Sequence, residues 1–150
     1  MLKNIQTRKL SISSGFVIFD QNNLNKVLLV QEQDGSFGFP KGRIEPNENL
    51  LATAKRELFE ETNISANLLT IYPKYHIVSH YTLEEFDVDR KVTYFVALID
   101  ENQCNLLKQE DEILSVKFVD LTTALALLQA TSFNKYLVLL EAIKFVQSKN

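Results

Sequence analysis

The chain has little to offer the chemistry of sulfur or imidazole: among 150 residues it holds one cysteine, two histidines and no tryptophan. A lone thiol, Cys104, closes no internal disulfide, and without a Cys/His cluster around it no zinc site can be composed. No run approaches the ~18 apolar residues needed to cross a bilayer, and the opening "MLKNIQTRKL" lacks the continuous apolar stretch of a signal peptide. A cytoplasmic location without a membrane partner is therefore expected. Basic charge is not in excess either. The formal net charge of −3 removes any general attraction to nucleic acid, where Lys/Arg pairing with phosphates dominates affinity, so phosphate binding has to be local. Repeats, low-complexity tracts and linkers are missing. With 45% hydrophobic residues, the chain suits a single domain over residues 1–150.

What is present alternates between short apolar runs and turn signals. "KLSISSGFVIFD" and "KVLLVQE" read as strands joined through "QNNLN". "FGFPKGR" reads as a loop, because Pro40 biases Phe39 toward extended geometry and Gly42 permits unusual backbone angles. From Leu50 to Thr62 the apolar residues Leu50, Leu51, Ala54 and Leu58 recur at helical spacing, with Asn47 or Asn49 as N-cap. "LLTIYPKYHIVSHYTL", "KVTYFVALID" and "ILSVKFVDL" read as further strands. "TTALALLQA" and "FNKYLVLLEAIKFVQS" read as helices, the latter with Phe133, Tyr136, Leu137, Leu140 and Ile143 as its packing stripe. This order predicts an α/β or α+β fold with helices covering a mixed sheet.

The helix from Leu50 breaks two local rules. Glu57, Glu60 and Glu61 stand at i, i+3 and i+4, where like charges repel by roughly 0.2–0.5 kcal/mol per pair. Glu60 and Glu61 also occupy the last turn, where the helix dipole disfavours anions by roughly 0.3–1 kcal/mol each. A solvated acidic face balanced by Lys55 and Arg56 is one explanation. A hard divalent cation is the other, since Mg²⁺ takes carboxylate oxygens and bridges to phosphates.

The wider spacing favours the cation. Gly42, Glu48, Arg56, Glu57, Leu58, Glu60, Glu61 and Ile64 stand at the intervals of Gx5Ex7REUxEExGU, U being aliphatic, so the segment 42–64 resembles the box of the Nudix family. One position departs: Asn63 replaces the final glycine. Asparagine is the best substitute where a helix closes on a left-handed residue. The resemblance implies a Nudix-type α/β/α sandwich with a mixed β-sheet between helices, and hydrolysis of a diphosphate bond. It also implies Mg²⁺ or Mn²⁺ held by Glu57, Glu60, Glu61 and the backbone carbonyl of Lys41, with Arg56 paired to Glu48 to orient the carboxylates. For the general base it leaves two sources open, Glu57 or the loop "KQEDEIL" with Glu110, Asp111 and Glu112.

The loop "FPKGR" followed by "IEPNE" is similar to the "FPKGH-E-GE" pattern of the asymmetric bis(5′-nucleosyl)-tetraphosphatases within this family. Those enzymes also carry a tyrosine some 16 to 18 residues past the box, and Tyr81 lies 17 past Ile64. The resemblance thus implies a nucleotide polyphosphate substrate, diadenosine tetraphosphate cleaved to ATP and AMP. Phe37, Tyr81 and Tyr94 are the aromatic candidates for stacking a base, worth roughly 1–3 kcal/mol. Lys41, Arg90 and Lys91 are the candidates for phosphate, while His76 and His80 read as structural or surface residues. An RNA 5′-end pyrophosphohydrolase or decapping enzyme is the competing reading. A pI near 5.4, the lack of a basic stripe and Lys41 in place of a glutamine weigh against it. A non-catalytic nucleotide-sensing module is a third reading, although such modules commonly lose the metal glutamates that are all present here. ADP-ribose and coenzyme A hydrolysis find less support in the residues around the box. Oligomeric state is not encoded.

Overall fold

The computed structural model describes residues 8–109 and 111–149. Its centre is β1 (Lys9–Asp20), whose run Phe16 to Phe19 is apolar at every position instead of alternating. Such a strand has to be covered on both faces. Around it lie β2 (Asn23–Glu32), β3 (Phe37–Gly38), β4 (Lys41–Arg43), β5 (Thr70–Leu83), β6 (Val88–Ile99) and β7 (Ile113–Asp120). The sheet runs β3-β2-β1-β6-β5, with β4 added to β1 and β7 to β2. β1 and β6 are parallel from Lys9↔Val88 to Asp20↔Ile99, and the other pairings are antiparallel, so the sheet is mixed.

Helix α1 (Leu50–Thr62) covers one face, and α2 (Leu121–Thr131) with α3 (Phe133–Ser148) covers the other. Successive strand residues feed opposite cores. Phe16, Ile18, Phe95, Ala97 and Ile99 meet Ala54 and Leu58 of α1, whereas Val17, Phe19, Val92 and Val96 meet Leu128, Leu139 and Ala142 of α2 and α3. Among the described residues, no helix is long and apolar enough to cross a membrane.

Three local expectations need correction. The segment "FGFPKGR" contains the short strands β3 and β4 in place of a continuous loop. The Pro40 carbonyl accepts from Phe16 N–H at 3.1 Å, and a Cβ on Gly15 would lie 2.3 Å from that oxygen, so the missing side chain of Gly15 lets the segment close on β1. The connection between the first two strands is also shorter than "QNNLN", because Asn23 to Asn25 already belong to β2. In α3 the buried residues are Val138, Leu139, Ala142 and Val146, while Phe133 and Leu137 are 57% and 48% exposed. The helix carries apolar residues around most of its circumference, so periodicity alone does not choose a face. The sheet takes a stripe of Val138, Leu139, Ala142 and Val146, with Tyr136 and Ile143 of the expected stripe packed partly against the same core and Phe133 and Leu137 left at the surface.

α1 starts at Asn49, whose side chain accepts from Ala52 N–H at 2.8 Å; Asn47 lies in the preceding turn at φ 69°. It ends at Asn63, left-handed at φ 69° and ψ 11°, whose N–H donates to Phe59 carbonyl at 3.0 Å. A β-branched side chain is strained in this conformation. Asn63→Gly is therefore expected to melt within a few degrees of wild type, whereas Asn63→Val should lose about 1 kcal/mol or more. Equal melting temperatures for the two variants would remove the capping role.

Candidate active site

Burial of Ala54 and Leu58 sets the rotation of α1, which turns Glu57 and Glu61 toward β4. The approach is close. A Cβ on Gly42 would fall 2.0 Å from the Glu57 carboxyl carbon, so any side chain at position 42 would displace the Glu57 carboxylate from this position. Glu61 is 7% exposed and its Oε1 accepts from the Lys41 N–H at 3.3 Å.

Arg56 organises the acidic groups. Its Nε donates to Glu48 Oε2 at 2.6 Å and its Nη2 to Glu48 Oε1 at 3.1 Å, forming a two-point pair. Its Nη1 donates to Glu57 Oε1 at 2.8 Å and to Glu60 Oε1 at 2.7 Å, and Nη2 also reaches the Arg43 carbonyl at 3.0 Å. Glu48 additionally accepts from Thr53 Oγ1 at 2.8 Å and from Glu45 N–H at 3.0 Å. The hydrogen bonds from Arg56, assisted by Thr53, pull the Glu48 carboxyl down to about 2 against the opposing effect of burial. Glu57 moves the other way. Its burial, reinforced by the charge of Glu60, raises its carboxyl above the usual range despite Arg56.

Glu57 and Glu61 line a cleft of about 480 Å³ together with Glu32, Glu112, Lys41 and Arg43. Glu60 instead turns its carboxylate to Arg56. Among the described residues no three acidic side chains already converge on one ligand point. Of the downstream acidic loop, Glu112 reaches the cleft wall, Asp111 offers its carbonyl to the Gln33 side chain at 2.8 Å, and Glu110 lies outside the described residues. The segment before Glu112 is fastened to the end of α1: Leu107 N–H donates to Thr62 carbonyl at 3.2 Å, Asn63 Nδ2 to Asn105 carbonyl at 2.9 Å and Gln109 Nε2 to Phe59 carbonyl at 2.5 Å.

Sequence reasoning missed Glu32 and Thr53. Thr53 lies five residues past Glu48, a spacing that a helix N-terminus makes close. Glu32 carried no local signal, because it enters the cleft through the register shift between Gln31 and Glu32 where β2 meets β7.

The aromatic candidates separate. Phe37 and Tyr81 are half-buried at the rim of the core, each with part of its surface open. Tyr94 is a correction: it is 1% exposed and packs edge-on to Phe39 at 5.4 Å, which leaves no ring face for a base. Cross-strand register sets Arg90 opposite Tyr81, and Arg90 Nε is buried without a hydrogen-bond partner. Lys91, His76 and His80 are exposed. Cys104 is a free thiol, pushed up to about 11 by burial.

Comparison with known proteins follows this geometry. The model of the NUDIX domain matches residues 9–140. The mouse (Mus musculus) protein named bis(5′-nucleosyl)-tetraphosphatase [asymmetrical] is 32% identical over 108 residues, covering 65% of this chain and 72% of that protein. A U8 snoRNA-decapping enzyme from Homalodisca vitripennis is 27% identical over 106 residues, covering 65% of this chain and 54% of the other. Among solved structures, the C. elegans Ap4A hydrolase binary complex superposes with a TM-score of 0.76 at 23% identity, over 92% of this chain and 98% of that one.

The depressed Glu48 carboxyl makes a pH prediction. A group whose folded pKa is lowered contributes stability that is fully present above its unfolded value, about 4.3, and is lost as pH falls through the folded value near 2. Glu48→Gln should therefore melt below wild type at pH 7 and equally so at pH 5.5, with the gap shrinking below pH 4. A gap that stays constant down to pH 2.5 would show that the Glu48 charge does not stabilise the fold.

Proposed function

The chain belongs to the Nudix family and is a pyrophosphohydrolase; from that premise we propose that its substrate is diadenosine tetraphosphate, cleaved asymmetrically to ATP and AMP with Mg²⁺ or Mn²⁺ bound. The observation that carries the substrate is a shared sheet face. Tyr81 pairs with Arg90, and the register Tyr94↔Gly15↔Lys41 brings Lys41 onto that same face at the mouth of the acidic cleft. An aromatic ring, a guanidinium lacking a partner at Nε and an ammonium thus share one sheet face, the kinds of group that a base followed by several phosphates requires. The similarity to the mouse tetraphosphatase supports the same reading.

The donor set suits a hard cation. Glu57, Glu60, Glu61 and the Lys41 carbonyl, with Glu112 on the facing wall of the cleft, offer oxygen alone, the preference of Mg²⁺ and Mn²⁺. When bound, the cation supplies Lewis acidity to water and neutralises charge on the phosphate oxygens. The chain's own groups do the rest. Arg56 holds Glu57 and Glu60 in fixed positions, so little reorganisation is needed when charge moves. Two carboxylates are candidates to take the proton of the attacking water, Glu57 and, from the facing loop, Glu112. Lys41 and Arg90 orient the phosphate chain, and Tyr81 or Phe37 stacks a base.

Glu57→Gln and Glu61→Gln should each lower turnover by at least ~10²-fold while leaving the metal-free protein no less heat-stable, because a repulsive charge is removed. Near-normal turnover in Mg²⁺ would sink the metal assignment.

Chromatography of the products should show ATP and AMP from diadenosine tetraphosphate. Tyr81→Ala should raise KM about 5- to 150-fold with a smaller effect on kcat. ADP as the main product would overturn asymmetric cleavage. Rapid pyrophosphate release from triphosphorylated RNA without dinucleotide turnover would favour the activity named for the decapping relative.

A further inference from the structure

The first turn of α3 delivers a lysine onto β3 from the side of the sheet opposite α1. Phe37 N–H donates to Thr131 Oγ1 at 3.2 Å, which docks the corner between α2 and α3 on β3. Lys135 N–H donates to Ser132 carbonyl at 3.1 Å in the turn that opens α3. Its side chain then lies over β3. A Cβ on Gly38 would fall 2.7 Å from Lys135 Nζ and 3.0 Å from its Cδ, so the bare backbone of Gly38 is the bed for this ammonium.

The charged and titratable groups that face Lys135 are Lys41, Glu32, Tyr81 and Asp34. Among the described residues no carboxylate comes within 4.0 Å of its Nζ. The two nearby acids are engaged elsewhere: Asp34 accepts from Ser36 N–H at 2.9 Å and from Ser36 Oγ at 2.6 Å, and Glu32 accepts from Ser36 Oγ at 3.2 Å. Burial and the facing charge of Lys41 push the ammonium below the usual lysine range. Lys135 is thus a half-buried cation over Gly38, three residues before Lys41, with a like charge among its neighbours and no carboxylate in ion-pair contact. A bound anion between the two lysines would relieve the repulsion and the lost solvation of both.

We propose that Lys135 and Lys41 form a two-lysine clamp on substrate phosphates remote from the scissile bond, making Lys135 a binding residue that selects for polyphosphate chain length. This rests on the polyphosphate reading of the site. A chain of four phosphates brings more anionic oxygens to the clamp than a diphosphate linkage already engaged at the carboxylates, which is the basis for selection by length. The competing role is packing alone, in which the methylene stem covers Gly38 and the charge is incidental. Methionine would serve that role equally well.

Calorimetric titration of inorganic tripolyphosphate into the metal-free protein tests the clamp without requiring turnover. Wild type should bind. Lys135→Met should weaken binding roughly tenfold or more, and Lys135→Arg should keep it within a few fold. Gly38→Ala, which displaces the ammonium while sparing the lysine, should reproduce the loss with an unchanged circular dichroism spectrum. In steady state, Lys135→Met should raise KM for diadenosine tetraphosphate about tenfold, with kcat within a few fold and any turnover of ADP-ribose unaffected. No binding to wild type, or equal affinity of wild type and Lys135→Met, would overturn the clamp. An equal rise in KM for ADP-ribose would overturn chain-length selection. If the dinucleotide proved not to be a substrate, the tripolyphosphate titration would still decide the clamp by itself.

Discussion

The bonds radiating from Arg56 fix the geometry on which the site depends. One guanidinium reaches Glu48, Glu57 and Glu60 and the Arg43 carbonyl, and thereby ties the loop before α1, the middle of α1 and strand β4 to one planar group. Lysine has neither the planar fork nor the donors for this. The arrangement also divides the acidic residues by role. Glu48 is held ionised as the permanent partner of Arg56, and Glu57 is left with an environment that resists its charge. That resistance is a cost in the free protein, and the proposed cation beside Glu57 would offset it. The box therefore stores its tension where a cation would relieve it.

Around this hub the fold supplies rigidity. β1 is buried on both faces and pairs with β2, β4 and β6, so the strand that receives α1 on one side receives α2 and α3 on the other. Gly15 marks a backbone approach that leaves no room for a side chain, against the Pro40 carbonyl, and Gly42 leaves its side-chain space to the Glu57 carboxylate. Both lie on the β1–β4 ladder, two residues from Ser13↔Arg43 at most. Catalytic groups attached to such a ladder move little relative to one another, and preorganisation of this kind lets fixed charges act on a developing charge.

The sequence made the box legible because its residues are local: helical spacing alone sets Arg56 beside Glu57 and Glu60, and Asn63 announces the end of the helix. Strand content and the mixed sheet followed from runs such as "GFVIF", too apolar for a one-sided sheet. The remainder depended on contacts between distant segments. Tyr94 and Tyr81 are both strand aromatics, and only the packing of Phe39 tells which is entombed. The stripe of α3 was misplaced because helical periodicity does not reveal which side meets a sheet. Glu32 and Lys135 were invisible for the same reason, since Glu32 meets the other cleft residues, and Lys135 its charged neighbours, only through segments distant in the sequence.

The three hydrogen bonds between residues 105–109 and the last turn of α1 make one mechanical unit of two segments that are far apart in the chain. One of them fills the Thr62 carbonyl, which a helix end otherwise leaves to water. Fraying of that turn would let go of Glu61 and slacken the tether leading to Glu112 in the same motion. The carboxylates on the two sides of the cleft thus share a single local opening equilibrium, and slow hydrogen exchange of the Leu107 and Asn63 amides becomes a gauge of how long the whole acidic cleft stays assembled.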